Sequence, residues 1–528
     1  MRANLWVMAK EIHKFWQTPA LQLVAIFVLC LAVFAWLQPS QALADPDSWY
    51  HARLTTMMRD SGIVRDFPWT QATLYRTIFI DHHFLYHVLL IPFVSLVPND
   101  LAGAKVATIV FAAMSATIIL WCLKRWQVHY WGVGVLLLLT SAPFLFRLSL
   151  VKAPALAIGV VIVAFYLIVE RRLGWLFWWT WFYVWFYSAW PLIVVMTCLY
   201  VTVGAIGKAG QGLKVVWQEV TSKANLKLIA VVAGGVVVGL IINPYWPTNL
   251  AYLKQIFSMA LRPYHDFIGI GAEWYPLKPL DLPEYLSYPL LVWLIATLAG
   301  VFSWRQQTNL SRTSWLMAVL FLVFTLRARR QTEYFVPWMV LSAGLCLRDA
   351  GLGKLTFAQL KNKFSSWIPN WIKRKAVVWI LLIYGIIVVP WGLSHGPRLA
   401  QALLAQGYEY NTMSGASQWL RQNTAAGSVI FQSDWGTFPM LFYHNSQNYY
   451  LTGLDQTFMY EYDKEKYRQW VRATKGETPR IYEIARGLFG ASYLLLEKRT
   501  PAMLLWLNRD ARFAKVYEDA EAIVYQLQ

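Results

Sequence analysis

The string DPDSWYHAR, Asp45 to Arg53, sets two carboxylates, two aromatic rings, a histidine and an arginine directly after the first long apolar run. A charged cluster where a membrane helix meets water is costly unless it faces a protein cavity, a phosphate or a metal, so the string reads as a site. The competing reading is a polar loop whose aromatic belt caps the helix end. Asp47 and His51 stand four apart, as do His83 and His87 in IDHHFLYH, and on a helix each pair shares a face. Aspartate with neutral imidazole suits manganese, zinc or iron, whereas magnesium prefers oxygen ligands alone, which makes Asp47, His51, His83 and His87 candidate metal ligands. Histidines hydrogen-bonded to backbone or to lipid headgroups are the alternative.

Three further segments carry chemistry. The segment 262–285, RPYHDFIGIGAEWYPLKPLDLPEY, reads as a long loop with a lone Glu273 among small and aromatic residues, the makeup of a lid or of a plain surface loop. LRARRQTEYF puts Arg327, Arg329 and Arg330 at one end of an apolar run. A guanidinium fork matches phosphate oxygens, and its alternative use is snorkelling to headgroups. FQSDWGTFPM follows an apolar strand pattern with Asp434, Trp435 and a glycine, as a turn lining a site would, although Asp434 also suits a helix N-cap.

These residues need a scaffold, and composition says which kind. Of the 528 residues 57% are hydrophobic and only 14% charged, the signature of a multispanning membrane protein. A net charge of +19 suggests nucleic acid, but the basic residues lie in short blocks between apolar runs rich in Trp and Tyr, which is the positive-inside pattern. The bilayer, not nucleic acid, is the implied partner. Cys30, Cys122, Cys198 and Cys346 are scattered singly, with no spacing for disulfides or a zinc knuckle. Arg2, Lys10 and Lys14 precede an apolar stretch, 21–37, too long for a cleaved signal, so a retained signal anchor is expected.

Apolar runs near 19–38, 101–123, 130–146, 153–170, 173–188, 189–206, 228–244, 286–303, 314–327, 332–347 and 376–394 predict about eleven membrane helices. With the N-terminus cytoplasmic, the inside loops carry Lys124/Arg125, Arg171/Arg172, Lys208 to Lys227, Arg305/Arg312 and Arg348 to Lys375. Four pieces then lie outside: 39–100, the turn from Arg147 to Lys152, 245–285, and everything after about 394. Every polar motif falls on that face. The tail 395–528, with SVIFQSD, TMSGASQWLRQN, ASYLLLEK and AIVYQL, reads as a small extracytoplasmic α/β domain beside a transmembrane domain over 1–394. No repeat or glycine-rich phosphate loop is present, so nucleotide binding has no support.

Taken in order, these motifs resemble the catalytic subunit of oligosaccharyltransferase and, more broadly, the GT-C superfamily of membrane glycosyltransferases, which use polyprenyl-linked sugar donors. The resemblance implies that Asp47 of DSWYHAR is the first-loop aspartate that binds the metal, and that Glu273 of GAEW is the external-loop glutamate that touches acceptor and metal. It also implies that Arg330 of RQTEY contacts the donor phosphate, with Arg329 beside it, and that QSDWG stands for the WWDYG motif with Asp434 as its acidic member and Trp435 beside it. Two departures stand out. The second acidic motif should fall near RLSLVKAPA, where Lys152 and Ala153 stand instead. Either Asp81, His83 or His87 replaces the missing ligand of a divalent ion, manganese or magnesium, or Lys152 replaces the ion's charge and the chemistry is metal-independent. The two tryptophans that recognise an Asn-x-Ser/Thr acceptor are Gln432 and Ser433 here.

The function implied is transfer of a sugar or oligosaccharide, with inversion, from a polyprenyl phosphate or pyrophosphate donor to a hydroxyl of a glycan, glycolipid or protein. The setting is the external, periplasmic face of a bacterial-type inner membrane. Asp47 serves as base or metal ligand, Glu273 as acceptor contact, Arg330, Arg329 and Lys152 as donor-side cations, and Asp434 and Trp435 shape the acceptor site. A protein oligosaccharyltransferase with divergent acceptor recognition is the rival enzyme. A lipid-linked sugar transporter or a non-catalytic subunit are the rivals from other classes, though a transporter would place its polar residues near the bilayer midplane.

Overall fold

The computed structural model describes residues 18–260, 262, 264, 268–269, 271–352, 389–499 and 501–528. Arg2, Lys10, Lys14 and most of the apolar run 376–394 lie outside the described residues. Within them the apolar runs become helices at the expected places: α1 (Pro19–Leu37), then, after the first outer loop, α2 (Asp47–Ser61), α3 (Phe84–Leu96) and α4 (Asp100–Arg125). There follow α5 (Val133–Thr140), α6 (Ala142–Leu148), α7 (Pro154–Val169), α8 (Leu173–Phe186), α9 (Pro191–Ile206), α10 (Lys223–Ile241) and α11 (Thr248–Ala260). Next come α12 (Leu282–Phe302), α13 (Asn309–Arg327) and α14 (Thr332–Asp349), and the helix Val389–Ala405 also packs on the bundle, adding Ala400 and Leu404 to its core.

Among the described residues four helical stretches are long and apolar enough to cross a membrane, Ala20–Leu37, Asp100–Arg125, Lys223–Ile241 and Asn309–Arg327. Several others are shorter. At 1.5 Å per residue the 16 residues of α7 reach roughly 24 Å, less than a hydrocarbon core of about 30 Å, and α7 is almost wholly buried among its neighbours. Large apolar side chains such as Val24, Trp36, Leu298 and Val323 are instead exposed around the bundle, where lipid rather than water is their natural solvent.

Two expectations change. The run 130–146 is two helices, because the chain breaks to extended backbone at Ser141 and Pro143 starts a new helix. The outer loop 39–100 contains the apolar α3, with Pro92 inside it, packed on α4. Their close approach needs a glycine: a Cβ on Gly103 would lie 2.7 Å from the Phe93 carbonyl oxygen. Thirteen residues fall below the length that marks a span, which is why the run reads as loop in sequence.

The C-terminal region is the small α/β unit its patterning predicts. β3 (Val429–Gln432), β4 (Tyr449–Tyr450), β5 (Tyr493–Glu497), β6 (Phe513–Glu518) and β7 (Ala522–Leu527) form a five-stranded mixed sheet in the order β4-β3-β5-β7-β6. β3 runs parallel to β4 and β5, while β7 is antiparallel to both β5 and β6. Two ties fasten this unit to the first outer loop. β1 (Ala42–Leu43) pairs antiparallel with β2 (Tyr408–Glu409), and Thr70 bridges to Tyr450 as an extra partner for β4.

The apolar interior is correspondingly divided. One core fills the helix bundle. A second joins Trp49, Tyr50 and Phe67 of the outer loop to Phe438, Phe442 and Tyr450 of the C-terminal unit. The ring of Phe67 lies 5.4 Å from that of Phe442 and 6.1 Å from that of Phe438.

Candidate active site

Five chain segments end at one polar cluster: the start of α2, the turn between α6 and α7, the short 3-10 turn Ala272–Trp274, the 3-10 turn Arg329–Gln331, and the first turn of α14. Asp45 organises the first of these. Its Oδ1 accepts the backbone N–H of Asp47 at 2.9 Å and its backbone carbonyl accepts from Ser48, an Asx turn that starts α2. Two carboxylates therefore stand at a helix N-terminus, where the backbone dipole favours negative charge.

Between them sits Lys152. Its Nζ lies 2.8 Å from Asp45 Oδ2 and 2.9 Å from Asp47 Oδ2, with Glu273 Oε1 at 3.9 Å. The turn that carries it is fixed locally, since Lys152 N–H donates to the Leu150 carbonyl at 2.7 Å and Pro154 opens α7 directly afterwards. Burial opposes the charge on Lys152, but Asp45 and Asp47 outweigh it and hold the ammonium above its ordinary range. For Asp47 burial dominates, aided by Asp45 and opposed by Lys152, and pushes the carboxyl up to about 6.

Glu273 is held by cations on every side. Arg330 Nη1 approaches Oε1 at 3.1 Å, Arg147 bonds Oε2, and Lys152 completes the set. Burial alone would raise its pKa, but these three cations together hold it well below the carboxylate range. Arg147 is buried and uses its remaining face on Glu333, with Nε at 2.9 Å and Nη2 at 2.8 Å from Oε2. Arg330 stacks over the Trp274 ring, 4.3 Å from its centroid. A guanidinium has five N–H donors, so one bond to Glu273 leaves Arg330 with several for an incoming anion.

Beside this network lies a second buried chain. His87 Nδ1 is 2.6 Å from Asp81 Oδ2, and His87 Nε2 is 2.8 Å from His51 Nδ1. Burial, reinforced by His87, Lys152 and His82, keeps His51 well below the usual imidazole range and hence neutral. In the tautomer in which His87 Nδ1–H donates to Asp81, His87 Nε2 accepts from His51 Nδ1–H, which leaves the lone pair of His51 on Nε2. His83 packs beside the chain: its backbone N–H donates to Asp81 Oδ1 at 2.9 Å, and its ring lies edge-on to that of His51 at 5.3 Å and stacks on Tyr187 at 5.3 Å.

The structure thus brings Asp47, Glu273, Lys152 and Arg330 together. Arg329 lies beside them, its backbone N–H donating to the Tyr275 carbonyl at 3.0 Å and the residue exposed, as is Arg327. Asp47 and the three histidines fall into two separate arrangements. The nitrogen atoms that His51 and His87 present to each other are taken up in their mutual hydrogen bond. Among the described residues no group of three or more His, Cys, Asp or Glu is arranged to hold a metal ion. The residues present do not fit the divalent ion that the resemblance implies, because an ammonium stands between the aspartates where a cation would lie.

Asp434 is outside the ion network. Its Oδ1 accepts from the Gly436 N–H at 2.6 Å, a local turn, and the following helix Phe438–His444 starts three residues after Gly436's neighbour Trp435, with no side-chain cap. Asp434, Glu497 and Asp45 nevertheless share one neighbour, Tyr408, whose phenol is raised first by burial and then by these charges. Trp435 is half-buried against the second core. Gln432 and Ser433 serve the sheet: Gln432 Oε1 accepts from Leu451 N–H at 3.0 Å, and Ser433 Oγ accepts from Glu497 N–H at 2.9 Å.

Sequence reasoning missed Arg147 and Glu333 as site residues. The available signal was a single arginine and a single glutamate, each at the edge of an apolar run, where an unpaired charge is improbable.

No protein-family model matches the chain, and no curated protein matches it in sequence. Solved structures do. The oligosaccharyltransferase of Archaeoglobus fulgidus in its apo form superposes over 96% of this chain and 74% of its own, with TM-score 0.60 and 12% identity. A second structure of that archaeal enzyme, AglB, holds an inhibitory peptide and a dolichol-phosphate. ArnT from Cupriavidus metallidurans, solved bound to undecaprenyl phosphate, matches over 96% of this chain and 98% of its own, with TM-score 0.56 and 14% identity. The arabinofuranosyltransferase AftD from Mycobacteria matches over 96% of this chain and 40% of its own, with TM-score 0.50 and 11% identity. The chain is similar across nearly its whole length to GT-C glycosyltransferases and has their fold.

Proposed function

We propose that this chain is a membrane glycosyltransferase that moves a sugar or oligosaccharide from a polyprenyl phosphate or pyrophosphate donor to a hydroxyl acceptor on the external face of a bacterial-type inner membrane. The observation that carries the reading is the meeting of Asp47, Lys152, Glu273 and Arg330 from four outer-end segments, in the fold of proteins solved with undecaprenyl phosphate and dolichol-phosphate.

The chemistry needs an activated nucleophile and a stabilised leaving group. The acceptor oxygen bonds to the anomeric carbon from the face opposite the phosphate, with inversion. The bond from that carbon to the phosphate oxygen breaks, and its electron pair stays with the polyprenyl phosphate. The hydroxyl proton passes to the Asp47 carboxylate. Arg330, preset by Trp274 and Glu273, faces the developing phosphate charge with its unused N–H groups, and Arg329 adds an exposed cation beside it. Glu273 aligns the acceptor.

A hydroxyl acceptor is favoured over an asparagine amide because Gln432 and Ser433, where the sequon-reading tryptophans would stand, have their side chains tied into the sheet. The test is transfer by purified protein in lipid nanodiscs from a panel of radiolabelled polyprenyl-linked sugars to glycan, glycolipid and peptide acceptors. Transfer to a hydroxyl, with Asp47→Asn lowering kcat by about 10³-fold or more at unchanged folding, supports the reading. Equal transfer by wild type and Asp47→Asn refutes the role of Asp47, and transfer to asparagine alone refutes the acceptor assignment.

A further inference from the structure

We infer that Lys152 takes the place of a catalytic divalent cation, so that the reaction runs without metal and Lys152 acts as a positioning residue through Asp45 and Asp47. The inference deepens the glycosyltransferase reading and rests on it for its kinetic arm only.

Two observations carry it. The first is position. Lys152 Nζ is within 2.9 Å of one oxygen from each aspartate and 3.9 Å from Glu273, so a single ammonium sits at the point shared by three carboxylates from two distant loops. An ammonium does there what an ion would do: it holds the aspartates in register and lets two like charges lie side by side. The second is charge balance. Asp45, Asp47, Glu273 and Glu333 face Lys152, Arg147 and Arg330, four formal negatives against three positives. A divalent ion added to this set would leave a buried positive excess. Changing Lys152 to aspartate lowers the balance by two, the deficit that one divalent ion restores.

Geometry favours that exchange. A lysine ammonium ends a four-carbon stem, and an aspartate carboxylate at the same position falls short of it by a gap comparable to a metal–oxygen bond of about 2 Å. Lys152→Asp therefore turns the cation's seat into a ligand set of Asp45, Asp47, the introduced carboxylate and Glu273.

The experiment titrates chelator-treated protein in detergent with Mn²⁺ and reads bound ion by electron paramagnetic resonance, with no donor present. Wild type is expected to show no saturable site. Lys152→Asp is expected to bind one Mn²⁺ per chain, and Asp47→Asn in that background to abolish the binding. In the transfer assay wild type should keep its rate within twofold in chelator. Lys152→Asp should be at least tenfold faster with Mn²⁺ than with chelator, a readout that a merely structural lysine would not move. Lys152→Arg, which keeps the charge, should remain metal-insensitive. A saturable, Asp47-dependent Mn²⁺ site in wild type would overturn the inference, as would a folded Lys152→Asp protein that gains no binding. If Lys152→Asp does not fold, the wild-type titration and the chelator arm still decide. If no donor is turned over by any form, the glycosyltransferase reading fails while the Mn²⁺ titrations still judge the exchange of lysine for metal.

Discussion

Two buried polar clusters share the helix α2, and they keep their charges in opposite ways. Around Asp47 basic and acidic side chains are paired: Lys152, Arg147 and Arg330 against Asp45, Glu273 and Glu333. One turn further along, His51 is buried and stays neutral, hydrogen-bonded to His87, whose other ring nitrogen meets Asp81. In the first cluster burial is offset by opposite charge. In the second it keeps His51 uncharged. In the first, Arg330 keeps N–H groups beyond its bond to Glu273, and in the second, hydrogen bonds hold the His51 imidazole in one orientation.

The difference can be tested by breaking each cluster at its hub. Arg147→Leu strands the buried Glu333 and takes one of three cations from Glu273, and a loss of about 3 to 5 kcal/mol is expected, seen as a lower thermal unfolding midpoint in detergent. Asp81→Asn exchanges the carboxylate that meets His87 for an amide whose carbonyl oxygen still accepts, and should cost no more than about 1.5 kcal/mol in the same measurement. Equal losses would mean that the two clusters do not differ in kind.

Function gives a second contrast. In its proposed role as base Asp47 must be ionised to take a proton, and its pKa is raised to about 6, so the rate is expected to be full above that pH and to fall as pH drops through it. Below the midpoint kcat should fall about tenfold per pH unit, a limb absent from the residual activity of Asp47→Asn. A limb lying well below 6 and moved by Asp81→Asn would instead assign the base to His51. With Asp47 as base, Asp81→Asn should lower kcat by about tenfold at most, through the tilt of the His51 ring beside it, and leave the limb in place. Arg329→Ala removes an exposed cation that has no side-chain partner among the described residues of the network and should change KM for the donor by about twofold or less.

Much of the scaffold was legible because hydrophobic runs and basic loops are local signals. The runs at 101–123, 173–188 and 314–327 became Asp100–Arg125, Leu173–Phe186 and Asn309–Arg327. SVIFQSD, ASYLLLEK and AIVYQL became β3, β5 and β7. The sidedness of the charges also foretold that Asp47, Lys152, Glu273 and Arg330 would share one end. What the sequence could not show was pairing. The i,i+4 spacing of Asp47 with His51 suggested one ligand set, but helix spacing says only which residues share a face. The partner of each, Lys152 for Asp47 and His87 for His51, comes from another segment. Arg147 and Glu333 were overlooked for the same reason, since each makes sense only beside the other.

The ties between the first outer loop and the C-terminal sheet bear on how the chain is cut and expressed. Tyr450 accepts the Gln71 N–H at 2.7 Å and donates its own to Trp69 at 2.8 Å, while β1 closes on β2. A fragment beginning near residue 395 would leave the β4 edge unpaired and the aromatic face of Phe438 and Phe442 bare, the combination that seeds aggregation. A protease nick between 352 and 389, by contrast, should release nothing, because the two pieces remain stitched together by backbone and aromatic contacts across the outer loop.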